Sequence, residues 1–128
     1  MSGEIVGEFR ITPHFRVAEF WCPCCHWMNR TNIFALCARL EAVRATYGPM
    51  QIVSGYRCLV HNLEAGGATL SRHLEGKAAD IRVLTDGDRY RLVKALLDSG
   101  FRRIGIGKHI VHADTDESSI PLMWTYYP

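Results

Sequence analysis

The reading turns on "SRHLEGKAADIRVL", residues 71–84. Its second half alternates, with Ala78, Asp80 and Arg82 on one face of an extended chain and Ala79, Ile81 and Val83 on the other. This period of two predicts a strand over residues 77–84. Asp80 then stands in a small, apolar strand, where a carboxylate costs free energy unless it is paired or bound to a cation. His73 lies in the preceding loop, and Gly76 permits the turn between the two.

Downstream, "RRIGIGK" (102–108) and "HIVHAD" (109–114) read as two short strands joined tightly. His112 and Asp114 share a face of the second, because alternate residues point the same way. If that strand pairs beside residues 78–83, His112 and Asp80 face each other across the sheet. His73, Asp80 and His112 would then form a His-Asp-His set with an open position, the donor number and type of a catalytic zinc. Singly, each is more often a surface residue, a satisfied core histidine or a turn cap, so the case rests on their convergence.

Upstream, "TNIFALCARLEAVRATYGP" (31–49) places Ile33, Leu36, Cys37, Leu40 and Val43 along one helical face. Thr31 or Asn32 can cap this helix, and Gly48-Pro49 stops it. "MQIVSGYR" (50–57) reads as a strand running into a turn at Gly55, and residues 58–76 as a long irregular loop with one helical turn. A second helix over "RYRLVKALLDSG" (89–100) is capped by Asp86 or Asp88 and buries Leu92, Val93, Leu96 and Leu97. The aromatic tail, "SSIPLMWTYYP", packs back on the domain. Helices and strands interleave without a regular βαβ rhythm. The expected class is α+β, one domain over residues 1–128, with a mostly antiparallel central sheet flanked by helices.

Hydrophobic residues make up 48% of the chain and charged residues 22%, a globular rather than disordered balance. A net charge of +2 gives no case for nucleic acid. No apolar run is long enough to span a membrane, and Glu4 and Glu8 break up the N-terminus, so a signal peptide is not expected. Synthesis in the cytoplasm follows as an expectation. The five cysteines, Cys22, Cys24, Cys25, Cys37 and Cys58, cannot all pair internally. "CPCCH" (22–26) suggests a zinc knuckle, but a structural site needs a second pair, and Cys37 and Cys58 stand alone in sequence. Buried or idle thiols are the expected state. A zinc-knuckle adaptor is kept as an alternative, which would lose metal when Cys22, Cys24 and Cys25 become Ser.

"SGYR", "GGATLSRHLEGKAADIR" and "GIGKHIVHAD" together resemble the zinc D-Ala-D-Ala carboxypeptidases, the M15 peptidases, above all their small single-domain phage and bacterial members. The similarity runs from about Phe15 to Trp124 and includes "EFWCPCC". Its most specific part is Ser-x-His-x(6)-Asp followed by a late His-x-Asp. The resemblance implies a Hedgehog/DD-peptidase-like fold, one Zn2+ held by His73, Asp80 and His112, and cleavage of an amide bond in peptidoglycan stem peptides by carboxypeptidase or endopeptidase action. It implies Arg57 as a clamp for a substrate carboxylate or carbonyl, although a solvated turn residue is the plainer reading of "SGYR" alone. It also implies a proton shuttle three residues before the last metal histidine, which is His109. A regular strand turns residues three apart to opposite sides, so Asp114 is the alternative, as base or as the acceptor that orients an imidazole.

Ser71 is a candidate substrate contact or a loop hydroxyl bonded to its own backbone. Glu75 has no family role and is expected in solvent. His14, His26 and His61 are expected at the surface or in local hydrogen bonds, and Trp21, Trp27 and Trp124 in the core or on its rim. A monomer is expected, and the resemblance further implies action on the cell wall, delivered with a phage particle or released by a holin. The alternative is a catalytically silent cell-wall-binding or phage structural domain of the same fold.

Overall fold

The structure, a computed structural model, describes residues 7–64, 72–116 and 120–126. In chain order it contains β1 (Arg10–Thr12), β2 (Phe15–Arg16), α1 (Val17–Phe20), α2 (Arg30–Tyr47), β3 (Ile52–Ser54) and α3 (Leu59–Glu64). A 3-10 turn (Arg72–Glu75) follows, then β4 (Ala78–Arg82), α4 (Asp86–Asp98), β5 (Arg103–Ile106), β6 (Ile110–Asp114) and β7 (Leu122–Thr125). Among the described residues, five strands form the central sheet in the order β3-β4-β6-β5-β7. Every pairing is antiparallel except β5 with β7. The architecture is the expected α+β, and the tail does return to the domain, as an edge strand.

The helices bury the apolar stripes that their periods require. Ile33, Leu36, Cys37, Leu40 and Val43 of α2 are all fully buried. The helix begins two to three residues earlier than its capping candidates suggest: the Asn29 side chain, not Thr31 or Asn32, accepts from the Asn32 backbone N–H at 3.0 Å. In α4 the cap is Thr85, whose hydroxyl accepts from Asp88 N at 3.0 Å, rather than Asp86 or Asp88. Its buried stripe is Leu92, Ala95 and Leu96, while Leu97 is half exposed. Packing against α2 rotates α4 so that small Ala95 takes the inward place expected of a leucine.

Both helices cover one face of the sheet. There Ala79, Ile81 and Val83 meet Val111, Ala113 and Ile104, closed in by Phe15, Phe20 and Phe101. Burying a side chain of the Ile or Phe class contributes about 1.5–3 kcal/mol, so this layer fixes the strands firmly. Alternation then sends Asp80, His112 and their neighbours to the opposite face. The register lines up one residue from each strand there: Ser54 opposite Asp80, Asp80 opposite His112, His112 opposite Gly105, and Gly105 opposite Trp124. The candidate chemistry is one row of the sheet.

Candidate metal centre

Two turns complete that row. After the 3-10 turn, Gly76 takes φ +75°, a conformation that side chains resist, and the chain reverses into β4. His73 is thereby folded back over Asp80. After β3, Gly55 presses against the end of α1 so closely that a Cβ would lie 2.7 Å from the Phe20 Cα. Tyr56 N donates to Phe20 O at 2.7 Å, and Arg57 N to His73 O at 3.0 Å. The "SGYR" turn is thus held between α1 and the His73 turn.

The three expected ligands meet. Asp80 Oδ1 lies 3.2 Å from His73 Nε2 and 3.1 Å from His112 Nδ1, and one ligand atom from each residue falls within 4.8 Å of the others. The hydrogen-bond partner fixes the tautomer of His73. His73 Nδ1 lies 2.7 Å from Gly55 O, a carbonyl that can only accept, so Nδ1 carries the proton. His112 Nε2 lies 2.9 Å from Asp114 Oδ2 and donates to it. If both rings are neutral with those protons in place, the lone pairs of His73 Nε2 and His112 Nδ1 face the same carboxylate oxygen. Three electron-pair donors facing one point require a cation among them, either an extra proton or a metal. Two imidazoles and a carboxylate suit zinc.

The surrounding charges support each ligand. Burial opposes ionisation of Asp80, but hydrogen bonds from His112 and His73 outweigh it and hold the carboxyl far below the usual carboxylate range. Burial pulls His112 down, yet its contacts with Asp114 and Asp80 raise it overall. Asp114 is likewise disfavoured by burial and rescued by His112. Arg103 Nε donates to Asp114 Oδ1 at 3.0 Å, and Asp116 N donates to the same oxygen at 3.2 Å. Asp116 is itself ion-paired with Arg72.

Of the remaining candidates, Arg57 reaches the site as a support for Asp80. Its Nη2 donates to Asp80 Oδ2 at 3.1 Å, its Nε to Ser54 Oγ at 3.0 Å and its Nη1 to Asn62 Oδ1 at 3.3 Å. With its side chain 15% exposed and bonded to three partners, it is not the solvated turn residue of the plain reading. Asp114 is only 1% exposed and holds His112 Nε2 at 2.9 Å while accepting from Arg103 and the Asp116 N–H, the contacts of an acceptor that orients an imidazole. His109 is not brought to the cluster. It occupies the exposed tip between β5 and β6, and its carbonyl extends the β4 ladder by accepting from Val83 N at 2.9 Å. The register is regular through β6, so the bulge that could turn His109 towards His112 is not there. Ser71 lies outside the described residues, as do Gly66, Gly67 and the His61 side chain. Glu75 is exposed and paired with Lys77. His14 bonds Glu41 at 2.7 Å, and His26 stacks on Trp21.

Sequence reasoning missed several residues around the row. Trp124 lies across Gly105, where a Cβ would come within 2.8 Å of the indole, and its ring sits 5.4 Å from that of His112. Arg103 stacks on the same indole. Tyr126 is within electrostatic reach of Asp80 and Arg57. It is half exposed, and partial burial first and the Asp80 charge second push its phenol up to about 12. Asn62, buried beside Arg57, completes the support. Period-two alternation could have flagged Arg103 opposite Asp114, but nothing local marks Tyr126 or Asn62. A cavity of about 460 Å³, lined by Phe9, Trp21, Trp27 and Phe34 among others, shares no residue with the cluster.

Among the described residues, no helix is long and apolar enough to cross a membrane. No curated protein matches the chain. The peptidase M15 family does, over residues 13–116, a span that contains the His73, Asp80 and His112 row and every side chain supporting it except Trp124 and Tyr126. With most of its length matched and this row in place, the chain belongs to the peptidase M15 family.

Proposed function

We propose that this peptidase is zinc-dependent and hydrolyses an amide bond in peptidoglycan stem peptides, by D-Ala-D-Ala carboxypeptidase or endopeptidase action. The observation that carries the zinc assignment is the convergence of His73 Nε2, Asp80 Oδ1 and His112 Nδ1, with Gly55 O and Asp114 on the two other ring nitrogens. The peptidoglycan substrate rests on the motif likeness to the D-Ala-D-Ala carboxypeptidases. Action on the cell wall, reached with a phage particle or through a holin, is part of the same proposal.

Zinc, when bound, supplies a water of lowered pKa and polarises the scissile carbonyl. The protein's own groups orient the ligands and hold the substrate. Gly55 O and Asp114 hold the two imidazoles in the ligating tautomer. Arg57 holds Asp80 and keeps, of its five N–H groups, two beyond the three engaged, which can grip a substrate carboxylate or carbonyl.

The test is digestion of purified peptidoglycan, with fragments read by mass spectrometry from chelated and zinc-restored samples side by side. The proposal expects release of D-Ala or cut stem peptides only after zinc is restored, and expects His109→Ala to keep that activity. Products indifferent to chelation would overturn the metal mechanism. Zinc uptake without any peptide release would favour the silent wall-binding domain.

A further inference from the structure

A second group of metal-ligating side chains lies outside the row. We infer that Cys22, Cys24, Cys25 and Cys58 form a tetrathiolate site for zinc, one that staples the turn after α1 to the loop bearing Arg57. Cys58, isolated in sequence, is not isolated in space: its Sγ lies 3.2 Å from that of Cys24, which lies 3.3 Å from that of Cys22. All four sulfurs fall within 4.8 Å of one another. None of the cysteines is disulfide-bonded. The second pair that a structural zinc requires is completed in space by Cys58, although it stands alone in sequence.

The backbone gathers these sulfurs from both sides. Three come from a single turn, closed by Cys22 N to Trp27 O and His26 N to Cys22 O, both at 2.8 Å. Within it His26 takes φ +54°, which residues other than glycine seldom adopt. The fourth arrives because Gly55 packs on Phe20 and Tyr56 N bonds Phe20 O, setting the loop that continues to Cys58 against the end of α1. A tetrahedron with Zn–S bonds of ~2.3 Å sets its sulfurs about 3.8 Å apart, so small outward shifts of the closest pairs suffice. Four thiolates with no open position are the donor set of a closed structural zinc. Its position gives it a task. The stapled loop supplies Gly55 O to His73 and carries Arg57 to Asp80, so the thiolate site would fix supports of the row without touching substrate.

The experiment counts metal in the full-length chain, purified under reducing conditions with zinc supplied and then dialysed. Two zinc ions per chain are expected in the unaltered protein, one in Cys58→Ser, one in Cys25→Ser and one in His73→Ala. Replacement of zinc by cobalt should give a sulfur-to-cobalt charge-transfer band in the unaltered protein and in His73→Ala but not in Cys58→Ser. The unaltered protein carries this readout even if a cysteine variant fails to fold. One zinc lost on Cys58→Ser but kept in His73→Ala would sustain this inference and sink the zinc of the row instead. A metal count indifferent to both cysteine variants, no thiolate band, or a Cys24–Cys58 disulfide in the purified chain would overturn it.

Discussion

The two faces of β4 and β6 are made by the same strands and obey opposite rules. One carries Ala79, Ile81, Val111 and Ala113, all fully buried among apolar side chains. The other carries Asp80, His112 and Asp114, whose burial is tolerable only because each charge meets a partner. The comparison shows why chemistry can sit on so short a strand. Burial on the first face fixes a register that alternation then transmits to the second, and a slip of one residue would exchange the two. Stability and metal binding should therefore be separable by substitutions one position apart.

The largest effect is expected from Asp80→Ala. It removes the ligand on which both imidazoles converge, so zinc uptake at the row and amide hydrolysis should fall to background while the far-ultraviolet circular dichroism of the fold remains. Its neighbour on the other face, Ile81→Ala, should do the reverse. It should cost about 2–5 kcal/mol of stability in denaturant titrations, with zinc affinity of the folded protein little changed. If Ile81→Ala abolished zinc binding in protein still folded, the separation of faces would be wrong.

A smaller effect tests the link between ligand and support. Asp114→Asn should weaken zinc binding about 10–100-fold, in a chelator competition, by releasing the His112 tautomer. The smallest expected effect is on the pH dependence of melting. In the metal-free chain Asp80 and Asp114 titrate below their ordinary values, so their contribution is present above pH ~4 and lost as pH falls. His112 titrates above its ordinary value, so its contribution is present below pH ~6.5 and lost as pH rises through the raised value. The metal-free chain should melt highest between these limits. The increment from zinc should instead grow from pH ~5.5 to ~8, because the imidazoles must lose protons to ligate. Parallel melting curves with and without zinc across that range would contradict the assignment.

Much of this was legible in the sequence because it is periodic. The alternation in "KAADIRV" and "IVHAD" gives the strands, their faces and the meeting of Asp80 with His112. The three-four spacing in α2 gives its buried side. What escaped depends on packing between segments distant in the chain. Nothing in α4 itself distinguishes a stripe through Ala95 from one through Leu97 until α2 lies against it. The caps at Asn29 and Thr85 compete with equally good neighbours. Cys58 joins Cys24 across 34 residues only because Gly55 lets the loop press on Phe20. The bond from Arg57 to Asp80 escaped because sequence cannot show which carboxylate lies within its reach.

The most direct test of the central claim is an anomalous difference map at the zinc edge from crystals grown with zinc. The account predicts a peak ~2.0–2.2 Å from His73 Nε2, Asp80 Oδ1 and His112 Nδ1, with Gly55 O and Asp114 still bonded to the other ring nitrogens. A map with no density among those three atoms, in a chain whose fold is otherwise as described, would contradict it.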